Sequence, residues 1–235
     1  MKCSSRITEH NTLPAALFLF ALLAAVFFSG CEKKAGLGGR VTDGRGQPIP
    51  HVKVTALQDK PVSGYGYFET ETDDQGMFSF KKLFPQSEYT LVINSDSTGV
   101  RQVKLKSGKN GQTETLPSPI TFRFISSPDA IVTDTRSGFQ WAPDPDIAMS
   151  WNEAKKYVRA LKLGGFSDWR MPTRAELRSL HGIDSGFPLN DCCVWTSEAI
   201  DGRRTWYFNL YSFFDDAAYV NSRSYRVLAV RVPAH

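Results

Sequence analysis

The stretch "GGFSDWRMPTRAEL", residues 164–177, connects two predicted helices and decides how the second half of the chain folds. Its paired glycines supply backbone angles that other residues resist, and its tryptophan is a large apolar anchor for the following helix. The acid and the arginine beside the tryptophan are placed to satisfy turn amides or a neighbouring strand, and the proline stops the chain from extending. We therefore assign a structural role, rather than a catalytic one, to Asp168, Trp169, Arg170 and Pro172.

Two capping boxes flank this corner. Ser150 and Glu153 have the spacing at which each side chain meets a backbone N–H at a helix start, and they predict a helix within "MSWNEAKKYVRALKLGG". Gly164 stands where a left-handed residue would end that helix. Thr173 and Glu176 repeat the box and predict a second helix in "TRAELRSLH".

The N-terminal segment has the features of a secretory signal. Residues 13–28 are almost wholly apolar behind a basic lead, which is too short for a comfortable membrane span but fits a signal h-region. The run ends in "FSGC", which resembles a bacterial lipobox, so residues 1–30 are expected to be removed and Cys31 to receive lipid. Glu32 in place of Asp implies sorting to the outer membrane, on a face that the sequence does not specify. An ordinary secreted protein or an uncleaved anchor helix are the alternatives.

The charge of the chain is nearly balanced. The formal net charge is +4, and removal of residues 1–30 leaves +3. This value is too small to favour a nucleic acid partner, which the expected compartment also disfavours. The roughly 200 remaining residues suit two small domains. The small positive excess lies before Ser127, and all five tryptophans lie after it.

Residues 38–125 are predicted to form an antiparallel β-sandwich, because short alternating strands are separated by turns and no helix is indicated. Asn110-Gly111 is a hairpin signal, and Lys104 and Lys106 are placed to protect a sheet edge. The apolar residues that alternate toward one side are Val52, Val54, Ala56, Phe78 and Phe80.

This pattern resembles the carboxypeptidase regulatory-like domain, a transthyretin-like sandwich of non-catalytic spacer or docking type. The segments that carry the resemblance are "GRVTD" (39–43), "GQPI" (46–49), "VKV" (52–54), "TD" (72–73), "GMF" (76–78) and residues 83–89. Residues 31–37 before it are expected to be a flexible leader, and residues 126–130, "SSPDA", a linker to a second domain over residues 131–235.

The second domain resembles the domain found at the C-terminus of collagen-like bacterial adhesins. The resemblance rests on the opening stretch together with "DTRSGFQW" (134–141), "SWNEAKKYV" (150–158) and "VWTSE" (194–198). It implies an α+β, C-type-lectin-like fold related to formylglycine-generating enzymes, and some relatives are implicated in binding sulfated polysaccharides. Relatives often carry a cysteine in the first helix and another in the last strand. Here Val158 and Leu228 or Ala229 occupy those places, so an apolar contact is expected instead.

Cys192 and Cys193 are the cysteines that remain beside Cys31 after signal removal. Neighbouring Cα atoms are about 3.8 Å apart, closer than disulfides usually allow, so a vicinal disulfide would be strained and easily reduced. One buried and one exposed thiol is the simpler alternative. An oxidative enzyme that uses this pair is a rival hypothesis, whereas a zinc site is disfavoured because adjacent thiolates converge poorly on one ion.

No other catalytic or cofactor site is predicted. The histidines lie near no nucleophile motif, and Asp215-Asp216 in an aromatic-rich segment is more typical of a solvated turn than of a glycosidase pair. "DPD" (144–146) and "WNE" (151–153) only superficially match the calcium-binding motifs of C-type lectins. We therefore expect no metal and no cofactor.

The aromatic segment "RRTWYFNLYSFF", residues 203–214, is the predicted ligand surface. Trp206, Phe208 and Leu210 alternate toward the core, and the opposite side could stack sugar rings and pair acidic groups. An ordinary amphipathic strand is the alternative. The residues predicted to form this rim are Tyr207, Tyr211, Arg203, Arg204, Arg223 and Arg226.

These features together predict a membrane-anchored envelope lipoprotein that acts as a non-catalytic binding or adhesion module. Its expected partners are the membrane, through the lipid on Cys31, and a polysaccharide or an envelope protein. The competing hypotheses are the oxidative enzyme and a purely structural envelope component.

Overall fold

The computed structural model describes residues 34–180 and 193–233. A mostly antiparallel N-terminal β-sandwich is followed by a β-rich α+β domain, in line with the fold class that the sequence predicts. The predicted signal segment, Cys31 and Cys192 lie outside the described residues. Within those residues, no helix has the length and apolar character needed to span a bilayer.

Two sheets face each other in the sandwich. One has the order β4-β1-β7 with β8 also on β1, and the other has the order β3-β2-β5-β6. The strands are β1 Ala35–Asp43, β2 Lys53–Gln58, β3 Tyr67–Glu71, β4 Met77–Leu83, β5 Glu88–Ser95, β6 Gly99–Lys106, β7 Thr113–Thr115 and β8 Ile120–Phe122.

The predicted inward faces form the core of the sandwich. Because side chains alternate along a strand, every second residue of β2 and β4 points between the sheets. Complete burial of one such apolar side chain contributes about 1.5–3 kcal/mol. The predicted residues that are buried in this core are Val52, Val54, Ala56, Phe78 and Phe80.

The start of β1 differs from the expected leader. β1 begins at Ala35, so residues 35–37 are a buried strand and not part of a flexible segment. Ala35 pairs with Leu83, and Leu37 with Phe80, so both apolar residues close the core beside β4. The glycines of "AGLGG" suggested flexibility, but here they allow close packing: a Cβ on Gly36 would lie 2.1 Å from the Thr113 hydroxyl oxygen.

The predicted Asn110-Gly111 turn forms, but it does not make a hairpin. Gly111 has a φ of +79°, as a tight turn requires. The following strand β7 leaves the sheet of β6 and pairs in parallel with β1. A turn motif fixes the local backbone and not the strand that the chain joins next, so the sequence signal missed this crossover.

The second domain contains two small sheets and two helices. Its sheets have the orders β15-β11-β10-β9 and β12-β13-β14. The elements are β9 Phe124–Ser126, β10 Val132–Asp134, β11 Gln140–Trp141, α1 Trp151–Ala160, α2 Arg174–Ser179, β12 Cys193–Ala199, β13 Arg204–Asn209, β14 Phe214–Tyr219 and β15 Val230–Arg231.

Both predicted capping boxes are present at the helix starts. The predicted end of the first helix is wrong, because α1 stops at Ala160 and its cap is Leu161 in an extended conformation. Gly164 and Gly165 do adopt positive φ, but they do so in a separate tight turn that joins Leu163 to Phe166. Val158 and Ala229 share one buried cluster, in line with the expected apolar contact.

The chain passes between the two domains at Arg123, which separates β8 from β9. Residues 126–130, expected as a linker, include the end of β9 and the turn to β10. The Arg123 guanidinium donates two hydrogen bonds, of 2.9 and 2.7 Å, to Asp134, whose side chain is buried. The contacts join Lys33–His235 into one compact unit.

Candidate functional site

The aromatic residues predicted to form a rim lie in different places. Tyr207 is half-buried, and its ring centroid is 4.4 Å from that of Tyr225, which in turn lies 4.5 Å from Trp195. Tyr211 follows β13 and is 70% exposed. Trp206 and Tyr207 lie on opposite faces of the β12-β13-β14 sheet, but both faces are covered. Tyr207 packs on a buried cluster. Trp206, which was expected in the core, is only half-buried and lies under the Arg174 guanidinium at 4.4 Å.

Three of the four predicted rim arginines pair with carboxylates. Arg204 contacts Asp201 at 2.9 Å, and Arg223 contacts Glu153. Arg226, with only 16% of its side chain exposed, bonds Asp144 and Asp146. Arg203 is exposed at the hairpin between β12 and β13. The predicted rim is therefore divided among a core cluster, ion pairs and two exposed turns.

The corner residues are held by the last described strand. Asp168 accepts a hydrogen bond of 2.8 Å from the buried Arg231, whose guanidinium lies 3.6 Å above the Phe166 ring. This bond to Arg231 lowers the pKa of Asp168 below its ordinary value. The backbones of Arg170 and Val230 exchange hydrogen bonds of 3.0 and 2.8 Å. These contacts fix the corner against β15.

The corner also fixes the start of α2. Arg170 makes a bidentate ion pair with Glu176, with N–O distances of 2.8 and 2.5 Å. The same carboxylate accepts from the Thr173 backbone N–H at 2.8 Å. Burial raises the pKa of Glu176, but the bonds from Arg170 and Thr173 outweigh it, so the pKa lies below its ordinary value. Pro172 contributes its carbonyl, which accepts from the Ser197 N–H at 2.8 Å.

A groove of about 450 Å³ runs between α1 and the corner. Its floor is apolar, and three cationic side chains stand around it. No acidic residue is among those that line it. We name this feature the α1 groove, and its lining residues are Lys155, Val158, Arg159, Trp169, Arg170, Met171, Thr173 and Ser197.

Two of the cations in the α1 groove have no acidic partner within the described residues. Lys155 Nζ lies 3.5 Å from the centroid of the Trp151 ring, a cation–π contact that holds it in place. Burial, and then repulsion from Arg159, lower the pKa of Lys155 below its ordinary value. Like charges at i and i+4 on a helix destabilise it. The groove therefore concentrates positive charge that the fold itself does not neutralise.

The floor of the groove contains an unusual tryptophan. Trp169 is 4% exposed, and its indole N–H makes no hydrogen bond within the part of the chain that the structure describes. Buried tryptophan N–H groups usually find a partner. Sequence reading assigned Trp169 to the corner but overlooked Lys155 and Arg159. Their spacing along α1, without an acid at the neighbouring helical positions, was the available signal.

A second cleft, of about 550 Å³, lies at the hairpin between β12 and β13. It is lined by Asp201, Gly202, Arg203, Arg204 and Tyr219. Two backbone hydrogen bonds connect this hairpin to α1: Val220 donates to the Arg203 carbonyl at 2.9 Å, and Trp151 donates to the Val220 carbonyl at 3.0 Å. The predicted Arg203 and Arg204 thus lie beside the start of the helix that carries Lys155.

The cysteine pair is only partly described. Cys193 is disulfide-bonded. The other three cysteines, Cys3, Cys31 and Cys192, lie outside the described residues, so the pairing of Cys193 with Cys192 stays a prediction. Over residues 34–180 and 193–233, no three His, Cys, Asp or Glu side chains gather as a metal site would require.

Solved structures offer only distant similarity. A hydroxyquinol 1,2-dioxygenase from Pseudomonas putida is 15% identical, with 32% of this chain and 38% of that chain covered and a TM-score of 0.27. The adhesin InvE of Yersinia pseudotuberculosis is 12% identical, with 84% and 69% covered and a TM-score of 0.30. The chain thus spans less than half of the dioxygenase. Similarities at these TM-scores carry no conclusion about function.

Domain families give a clearer result. No curated protein matches the chain. Residues 36–117 match the family model of the carboxypeptidase regulatory-like domain, and residues 130–231 match that of the Lcl C-terminal domain. The chain thus has one region similar to a carboxypeptidase regulatory-like domain and, after it, one region similar to an Lcl C-terminal domain.

Proposed function

We propose that this protein is an envelope lipoprotein, anchored through lipid on Cys31, whose C-terminal domain is a non-catalytic binding or adhesion module for an acidic polysaccharide. The α1 groove carries the proposal, because it combines an apolar floor with cations that have no acidic partner among the described residues. Neither matching domain family is of an enzymatic type, which supports a binding role.

The chemistry of the groove suits a charged sugar. The carboxylate or sulfate groups of the ligand would pair with Lys155 and Arg159, of which the arginine guanidinium favours two parallel hydrogen bonds. A sugar ring presents an apolar face that can contact the small accessible part of the groove floor, which Trp169 and Met171 help to form. A bound anion would also offset the repulsion between Lys155 and Arg159.

The test uses the chain from Lys33 to His235, which forms one compact unit. We would titrate it with neutral, carboxylated and sulfated glycans, at low and high salt and with and without calcium. We expect salt-sensitive, calcium-independent binding of the acidic glycans, weakened at least tenfold by Lys155→Gln with Arg159→Gln. A tenfold loss corresponds to about 1.4 kcal/mol, which is in the range of one or two charge-assisted hydrogen bonds.

The matched control is Lys156→Gln with Lys162→Gln, which removes the same charge from exposed positions that do not line the groove. This variant should bind within about twofold of the unchanged protein. Equal losses in both variants would mean that net charge and not the groove binds the glycan. Absence of binding across the panel would reject the polysaccharide and leave an envelope protein as the partner to seek.

A further inference from the structure

The lysines of the sandwich are gathered at one end. The structure describes eight lysines in this domain. One of them, Lys53, lies at the opposite end and pairs with Glu69 at 3.1 Å. Lys104 lies near the end of β6 and contacts Asp59 at 3.5 Å. We call the remaining group the lysine end, and its members are Lys34, Lys60, Lys81, Lys82, Lys106 and Lys109.

Strand pairing places these lysines together. Ala35, next to Lys34, pairs with Leu83 at the end of β4, the strand that carries Lys81 and Lys82. At the same end of the other sheet, Lys106 pairs with Glu88. The backbone bonds from Asp59 to Glu88 and from Gly111 to Lys34 bring in the loops that hold Lys60 and Lys109.

The charge at this end is unbalanced. Asp59, Glu88 and Glu114 are its acids, and Asp59 already contacts Lys104. Lys60, Lys81, Lys82, Lys106 and Lys109 are all exposed, and no carboxylate of the described residues pairs with any of them. The excess positive charge attracts anionic surfaces electrostatically, and this attraction weakens as the salt concentration rises.

Apolar side chains stand beside the lysines. Val62 is 39% exposed and Tyr67 is 58% exposed, in and just after the loop that follows β2. The Tyr67 hydroxyl contacts Glu69 and its ring remains accessible. Tyrosine with its polar tip and apolar ring is favoured at membrane–water interfaces.

The short segment between Cys31 and β1 is consistent with docking through the lysine end. Only residues 32–34 separate Cys31 from β1 at Ala35. A fully extended segment of this length spans at most about 14 Å. A lipid on Cys31 would therefore keep the start of β1 within a short distance of the bilayer. The second domain joins at the opposite end of β1, where the Gly44 N–H donates to Thr135 at 2.8 Å.

We infer that the lysine end docks on the surface of an anionic phospholipid bilayer. Lys81, Lys82, Lys106 and Lys109 pair with headgroup phosphates. The sandwich thus acts as a base that stands against the membrane and holds the α1 groove away from it. The orientation rests on the proposed lipid at Cys31, whereas the docking surface does not need the lipid.

The test measures binding of the Lys33–His235 chain to vesicles by co-sedimentation. The vesicles contain phosphatidylcholine alone or phosphatidylcholine mixed with phosphatidylglycerol, at low and high salt. We expect binding to the mixed vesicles only, and loss of that binding at high salt. Lys106→Glu with Lys109→Glu, and independently Lys81→Glu with Lys82→Glu, should each weaken the partition coefficient on the order of tenfold or more.

The control is Lys156→Glu with Lys162→Glu, an identical change of charge in the C-terminal domain, which should leave vesicle binding within about threefold. The inference is overturned if the control weakens binding as much as the lysine-end variants, or if those variants bind like the unchanged protein. The same variants are then titrated with the acidic glycan. Lysine-end variants should keep glycan binding, and the groove variant Lys155→Gln with Arg159→Gln should keep vesicle binding, so either proposal can fail alone.

Discussion

The domain junction and the α1 groove both contain cationic side chains, but the positive charge is paired with a buried carboxylate only at the junction. At the junction, Arg123 faces the buried Asp134 through two short hydrogen bonds. In the groove, Lys155 and Arg159 repel each other, and no carboxylate of the described residues pairs with them. A buried pair that is fully hydrogen-bonded holds a fold in one arrangement. A pair of like charges without a partner destabilises the helix that carries it, and this makes the groove a candidate anion site.

The largest effect is expected at the junction. Asp134→Asn removes the charge that Arg123 requires and should lower the free energy of unfolding by roughly 3–5 kcal/mol, because one partner of a buried pair is left uncompensated. Urea denaturation measures this loss. Asp59→Asn, at the more exposed pair with Lys104, is the control and should cost less than about 1 kcal/mol. Equal losses would break the comparison, since the junction would then behave like a surface pair.

A smaller effect is expected at the start of α2. Glu176→Ala removes both the cap and the ion pair with Arg170, and should cost about 1–2 kcal/mol. Glu176→Gln keeps an oxygen for the Thr173 N–H, because glutamine also serves in a capping box. Thermal denaturation of the two variants therefore separates cap from ion pair. If the glutamine variant loses as much as the alanine variant, the ion pair with Arg170 carries the whole contribution.

Acid should weaken the paired regions first. The pKa values of Asp134 and Glu176 are below their ordinary values in the folded chain, because their bonds to arginine outweigh the effect of burial. Their contribution is present above the unfolded-state values of about 4 and is lost as pH falls through the lower folded-state values. The free energy of unfolding should decline below about pH 4, and less steeply in Asp134→Asn. Parallel declines in both proteins would exclude Asp134 as a contributor.

The smallest effect on stability is expected at Arg159. Arg159→Gln keeps the contact between Lys155 and Trp151 and removes the repulsion, but it also removes a favourable cation from the last turn of α1, so the two effects of about 0.5 kcal/mol should nearly cancel. The pKa of Lys155, followed by NMR, should rise at the same time, while glycan binding weakens. Lys156→Gln serves as the control. A fall in stability on changing Arg159 would show that this arginine belongs with the structural charges of the junction.

The comparison also explains what the sequence could predict. Both capping boxes and the sandwich core were predictable, because a cap depends on residues three positions apart and a strand face on alternation. The burial of Tyr207 was not, because it depends on Tyr225, which reaches it only in the folded domain. The buried start at Ala35 was hidden for the same reason, since its partner Leu83 is far along the chain.

The α1 groove could be predicted from the sequence only in part. Lys155 and Arg159 are a local pair that could have been noticed from their spacing alone. Their apolar floor could not, because Trp169 and Met171 come from the corner, which reaches α1 only through packing.

The pairing of the corner with β15 bears on the order in which the domain can form. The Arg170 backbone exchanges hydrogen bonds with Val230, and the Asp168 carboxylate accepts one from the Arg231 guanidinium. Both partners lie some sixty residues later in the chain. A chain that emerges from its N-terminus first therefore completes this corner only after residue 231 is free. Contacts between such distant residues slow folding, because a large loop must close before they form. The C-terminal domain should consequently complete its packing only late in synthesis, after the sandwich.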